Sequence, residues 1–134
     1  MDDCVFCKII KGELPSYKIY ENDKVLAFLD ISGDYYGHTL VIPKNHCTNI
    51  LDCSYEDLAE VTKAVKLISN HFVDNLHFSG VNVLNANGES AEQSVFHLHF
   101  HIIPRKSNDG FHTYPNHDDQ NFDLEKIAKQ LKLD

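Results

Sequence analysis

Apolar and polar residues alternate along this chain with two different periods. Short apolar runs at residues 17–20, 25–30 and 38–42, separated by Asn22-Asp23 and Ser32-Gly33-Asp34, read as three strands between turns. Further on the period lengthens: Leu58, Val61, Val65, Ile68 and Phe72 recur at steps of three and four, one face of a long helix. Ser54 is placed to cap that helix, and Asp57 to serve its first turn. Strands at residues 81–85 and 95–103 follow, joined by a polar segment over 86–92. A helical turn at residues 5–11, stopped by Gly12 and redirected by Pro15, precedes the strands. Asp123 caps a closing helix carrying Leu124, Ile127, Ala128 and Leu131. The strands follow one another too closely for parallel crossovers, so an antiparallel α+β sheet is expected. With no repeat or linker, residues 1–134 read as one domain, with 106–134 a C-terminal tail and helix.

Composition narrows the partners. With 20 acidic against 12 basic residues the net charge is −8, which leaves no basic footprint for a nucleic-acid polymer. A single small phosphate remains within reach of local donors. The 43% of hydrophobic residues suffices for a core and argues against disorder. No apolar run approaches the roughly 20 residues of a bilayer span, and Met1-Asp2-Asp3 lacks the positive start of a secretory signal. A cytoplasmic protein with no membrane partner is expected, its four cysteines reduced or metal-bound rather than paired.

The densest chemistry lies in His97-Leu98-His99-Phe100-His101-Ile102-Ile103. On a strand Leu98, Phe100 and Ile102 would face the core, and His97, His99 and His101 the other side. Three imidazoles in register are hard to explain as core, because every ring nitrogen needs a partner. They cannot all close on one metal ion: the outer two would stand roughly 13 Å apart on a strand, whereas nitrogens sharing one zinc lie within about 4 Å. The trio must divide its work. A neutral imidazole is a nucleophile that needs no separate base, and a neighbouring imidazole can donate to a phosphate oxygen. Gln93, Ser94 and the backbone from Gly88 onward can supply donors to a developing negative charge.

This stretch, preceded by Gln93-Ser94-Val95-Phe96, resembles the signature of the histidine triad family of nucleotide-binding proteins. Phe6-Cys7-Lys8-Ile9-Ile10 with Gly12-Glu13-Leu14-Pro15-Ser16, Leu26-Ala27-Phe28-Leu29-Asp30-Ile31 and Gly37-His38-Thr39-Leu40-Val41-Ile42-Pro43-Lys44 resemble the family's earlier segments, in its order, across residues 4–105. The resemblance implies a five-stranded antiparallel sheet with one long and one or two short helices. It implies a hydrolase of purine nucleoside monophosphate derivatives, above all phosphoramidates, in which His99 attacks the α-phosphorus. A nucleotidyl-histidine forms and water releases it. By the same resemblance His101 contacts the phosphate, Ser94 helps protonate an amine leaving group, and His38 orients the triad. Asp30 takes the ribose hydroxyls, Phe6, Ile9, Phe28 and Ile31 line the base pocket, and Asn85 and Gln93 lie near sugar and phosphate. A homodimer is implied as well. Read without the resemblance, Asp30 is a strand-ending acid and His38 a strand-end histidine.

Cys4-Val5-Phe6-Cys7 has metal-ligand spacing, and by itself leaves zinc and plain thiols open. One branch of the family pairs such cysteines with two histidines around a structural zinc, which implies Cys4, Cys7, His46 and His97 here. One position departs from the family's pattern: Glu92 stands where glycine is common, so a loop needing positive φ there would be strained. Two rival readings share the nucleophile or the pocket: a dinucleoside polyphosphate hydrolase, and a nucleotide-binding regulator whose turnover is incidental. Uridylyl transfer fits poorly, because that branch carries proline where Leu98 and Phe100 stand. A purely structural zinc module would leave His99, His101 and Asp30 unexplained. The 110–121 stretch is not decipherable from sequence.

Overall fold

Strict alternation in β2 (Val25–Leu29) and β3 (Thr39–Pro43) gives the sheet two different faces, and both are covered. Val25, Ala27, Val41 and Ile102 meet the stripe Val61, Ala64, Val65, Ile68 and Phe72 of the long helix α2 (Tyr55–Asp74). On the opposite face Leu26, Phe28, Leu40 and Ile42 pack beneath Phe6 of the short helix α1 (Val5–Ile10). The histidine side of the sheet is thereby roofed by α1. The computed structural model describes residues 3–114 and 117–133, so Pro115 and Asn116 of the 110–121 stretch lie outside the described residues.

Three more strands, β1 (Lys18–Glu21), β4 (Gly80–Leu84) and β5 (Phe100–Arg105), complete an antiparallel sheet in the order β1-β2-β3-β5-β4. Ser54 caps α2 as expected, its hydroxyl accepting from the Asp57 N–H at 3.1 Å. Cys4 caps α1 with its sulfur. The remaining boundaries differ from the sequence reading by a residue or two, except one. The strand expected at 95–103 begins only at Phe100, so His97 and His99 precede it. The reason is where the backbone bonds go: the Leu98 N–H donates to the Cys47 carbonyl and the His99 carbonyl accepts from Asn85, so neither joins the ladder.

Helix α3 (Leu124–Leu131) forms as expected behind its Asp123 cap, yet none of its residues is buried. Ile68 in α2 is nearly fully buried between helix and sheet. Ile68→Ala is expected to cost about 2–5 kcal/mol, read as a lower denaturant midpoint with an unchanged slope.

Candidate functional site

The start of β5, the end of β2 and the start of β3 converge under α1, and each brings one part of the site. Phe6, Ile9, Phe28, Asp30 and Ile31 line one cavity of about 440 Å³ together with Ser94, His99 and His101. That volume suits a small organic ligand. Its walls are mostly apolar, with Asp30, Ser94 and the two histidines among its polar groups. Ile31 is 86% exposed, so it forms the rim rather than the wall.

His99 is buried, and its Nδ1–H donates to the His97 main-chain carbonyl at 2.8 Å. That bond fixes the tautomer and leaves Nε2 with a free lone pair. Phe6 stands edge-on to the ring at 5.2 Å between centroids, which fixes its plane. Burial holds the His99 pKa below the ordinary imidazole value, so the ring is neutral at physiological pH.

His101, 5.0 Å away between ring centroids, bonds through Nδ1 to His38 Nε2 at 2.8 Å. The other ring nitrogen of His38 donates to Asp34 Oδ1 at 2.8 Å. A carboxylate only accepts, so the relay runs in one sense: His38 Nδ1–H donates to Asp34, and His101 Nδ1–H donates to His38 Nε2. Burial and then the neighbouring His99 and His38 push the His101 pKa down to about 4. An arriving phosphate is a nearby negative charge and raises it again, favouring a donor on Nε2.

The sequence reading missed Asp34. A carboxylate four residues before the histidine, in a loop with two turn signals, carries no period that marks it. Asp34→Asn offers His38 an amide that can also donate, which unsettles the tautomer. An outer-shell loss of this kind is expected to lower turnover about 10- to 100-fold, with the Tm nearly unchanged.

Gln93 and Asn85 serve the site from behind. Gln93 Oε1 accepts from the Gly88 N–H at 2.8 Å and Asn49 Nδ2 at 3.2 Å, while Nε2 donates to the Thr48 and Val95 carbonyls. All of its polar capacity is spent on clamping the 88–94 loop, and it does not line the cavity. Asn85 donates to the His99 carbonyl at 3.0 Å and so steadies the nucleophile's backbone. Gly88 adopts φ 98° and ψ 158°, a region essentially closed to other residues. Glu92 follows in the left-handed region at φ 70° with its side chain exposed, so the strain expected at this position is present. Glu92→Gly is expected to stabilise the fold by about 1 kcal/mol in denaturant unfolding.

Beyond His101 a second hollow of about 320 Å³ is lined by Asp34, Asn85, Glu92 and His112. Part of the undeciphered 110–121 stretch reaches it because Arg105 holds the chain. Its guanidinium donates to Asp109 at 2.7 and 2.8 Å, to Asn82 and to Thr113. This fork of donors on a strand end is a further feature that the sequence reading passed over.

Cys4, Cys7, His46 and His97 form a separate cluster whose ligand atoms all lie within 4.8 Å. The individual distances are 3.3 Å for Cys4 Sγ to His97 Nδ1, 3.4 Å for Cys7 Sγ to His46 Nδ1, and 3.1 Å between the two Nδ1 atoms. A tetrahedral ion with metal–sulfur bonds of about 2.3 Å and metal–nitrogen bonds of about 2.0–2.1 Å requires ligand separations of about 3.3–3.8 Å. The donors therefore stand almost where an ion would place them. His97 Nε2–H donates to the Pro43 carbonyl at 2.8 Å, which directs the Nδ1 lone pair at the cluster. Burial lowers the His97 pKa to about 4, so the ring is the neutral species a metal binds. These four residues can hold a metal ion.

The model of the HIT domain family matches residues 11–108, and the chain belongs to that family. An uncharacterized HIT-like protein of Borreliella burgdorferi is 47% identical over 99% of this chain and 96% of its own length. The adenosine 5'-monophosphoramidase HNT1 of Candida albicans is 46% identical over 77% of this chain and 70% of its own. The adenylylsulfatase HINT3 of Arabidopsis thaliana is 41% identical over 97% of this chain and 66% of its own. Among solved structures, a Streptococcus mutans protein superposes with a TM-score of 0.86 at 40% identity, covering 98% of this chain and 84% of that one. A zinc-bound histidine triad family protein of Mycobacterium smegmatis superposes with a TM-score of 0.79 at 36% identity, covering 87% and 85%. The five-stranded antiparallel sheet with one long helix is the HIT fold. Nucleotide hydrolysis is the activity this family supports, since members similar to this chain are named for it.

Proposed function

We propose that this chain hydrolyses adenosine or guanosine 5'-phosphoramidates through a nucleotidyl-histidine intermediate on His99. The observation that carries the reading is the His99 ring: Nδ1 is committed to the His97 carbonyl, and the bare Nε2 belongs to a cavity that also holds Asp30, Ser94 and His101. His99 Nε2 attacks the α-phosphorus, a phosphorus–nitrogen bond to the histidine forms, and the bond to the amine breaks. The departing nitrogen takes a proton from Ser94 or from His101 Nε2. Water then attacks the phosphorus and gives one proton back to the group that served as acid, the phosphorus–nitrogen bond to His99 breaks, the monophosphate leaves, and the His99 lone pair is restored. Asp30 accepts from the ribose through Oδ2, because Oδ1 is already bonded to the Ser32 N–H at 2.7 Å. Phe6 and Phe28, packed edge to face at 5.5 Å, supply an apolar surface for the base, which favours purines by contact area over hydrogen-bond readout. The named monophosphoramidase relative supports an amine leaving group over a nucleotide one.

Zinc at Cys4, Cys7, His46 and His97 serves structure in this reading: four protein ligands leave no open position, and His97 is thereby spent on the fold. A two-fold dimer with a second copy completes it. Strand β4 lies at a sheet edge, and Val83 and Leu84 on it are each about 40% exposed (42% and 38%). Among the described residues no helix is long and apolar enough to cross a membrane, and a cytoplasmic location accords with that. The reading is tested by mixing the protein with adenosine 5'-phosphoramidate, adenylyl sulfate and a diadenosine polyphosphate. Fastest release of AMP from the first supports it; a preference for either of the others moves the assignment to that leaving group.

A further inference from the structure

We propose that Asp30, His38 and His101 form a second, exchangeable site for a zinc-like divalent ion, distinct from the cysteine cluster. Each contributes one ligand atom, and the three lie within 4.8 Å of one another. His38 Nε2 stands 2.8 Å from His101 Nδ1 and 3.8 Å from Asp30 Oδ2. Nitrogen and oxygen ligands of one tetrahedral ion need separations of about 3.3–3.5 Å. Binding an ion therefore requires the His38–His101 hydrogen bond at 2.8 Å to open and Asp30 Oδ2 to move in from 3.8 Å.

Outer contacts already aim two of these ligands as a metal requires. Asp34 accepts from His38 Nδ1 at 2.8 Å, so Nε2 presents its lone pair, as in a carboxylate–histidine–metal arrangement. The Ser32 N–H holds Asp30 Oδ1 at 2.7 Å and leaves Oδ2 for the ion. The backbone joins the ligand-bearing elements, with the Asp30 N–H donating to the His38 carbonyl at 2.9 Å and Leu40 pairing with His101 across β3 and β5.

On binding, the ion replaces the proton between His38 Nε2 and His101 Nδ1, and His101 passes to its other neutral tautomer with the proton on Nε2. No net proton is released. Two imidazoles and one carboxylate suit zinc and its neighbours over calcium or magnesium, which prefer oxygen-only shells. Three protein ligands leave a fourth position open beside the 440 Å³ cavity, for water. Without thiolates, and with Asp30 Oδ2 on a partly exposed side chain, this ion is held more weakly than one in the cysteine cluster. If the nucleotide reading holds, on which this consequence alone rests, the ion and the nucleotide compete, because both need Asp30 and His101.

The test counts bound zinc by metal analysis after dialysis of zinc-loaded protein against rising free zinc. The wild type is expected to go from one ion per chain to two. His38→Asn and Asp30→Asn should stay at one, with unchanged circular dichroism. Asp34→Asn, which keeps all three ligands, should weaken the second ion about tenfold or more. A wild type that stays at one ion, or variants that take the second as readily as wild type, would overturn the site. If AMP fails to bind at all, the nucleotide reading falls while the zinc count still tests the ion site.

Discussion

Replacing His99 by asparagine is expected to lower turnover of an adenosine 5'-phosphoramidate by at least about a thousandfold, because the amide nitrogen's electron pair is delocalised and the amide is a poor nucleophile towards phosphorus. Asparagine keeps polarity and approximate size, and its amide can still donate towards the His97 carbonyl that now receives Nδ1–H at 2.8 Å. AMP should therefore still bind, its base on Phe6 and Phe28 and its ribose on Asp30. Separating the two readouts matters. Lost turnover with retained AMP affinity identifies His99 as a reacting group, whereas turnover that survives would remove it from the chemistry. A chain that binds AMP and turns over no substrate in either form would be a nucleotide sensor. Rapid quenching of wild-type protein with substrate should show a mass increase of one nucleotidyl group on the chain, absent from the asparagine variant.

Removing an ion held by the Cys4, Cys7, His46 and His97 cluster should destabilise the fold about as much as emptying a core position does. The ion would join α1, the segment after β3 and the segment before β5, which are 39 to 93 residues apart in sequence. Phe6 on α1 packs edge-on against both His97 and His99, at 5.8 and 5.2 Å between centroids, so the position of the nucleophile depends on where α1 sits. Burial raises the Cys7 pKa, and the adjacent Cys4 raises it further, so without a cation Cys7 is a thiol rather than a thiolate. Structural zinc sites contribute folding energy outright. Cys7→Ala, or chelation, is expected to cost about 3 kcal/mol and to lower the Tm by about 10 °C for a domain of this size. Scanning calorimetry with parallel metal analysis checks this. An unchanged Tm in a protein shown to have carried zinc would mean that the sheet and α2 alone hold the fold.

Period-bearing features were legible in the residue order. The three-four stripe from Leu58 to Phe72 marked α2, and the short apolar runs around Val25 and Val41, bounded by turn residues, marked the two central strands, because one short window records each. The His-Leu-His-Phe-His run announced its own importance, and the division of its duties was anticipated from a strand spacing that His97 and His99, lying before β5, do not have. His97 indeed joins the cysteine cluster and His101 joins His38.

Tertiary structure alone determined the rest, and for one physical reason: hydrogen-bond partners far apart in sequence leave no local pattern. Asp34 is an ordinary loop acid until the chain folds it onto His38. Gln93 changes from a pocket residue to a loop clamp once Thr48 and Asn49 approach it. The end of the histidine strand moves to Phe100 because Cys47 and Asn85, not a neighbouring strand, take the backbone groups of Leu98 and His99. Sequence determined which residues are chemically able; packing determined which of their atoms remain free to act.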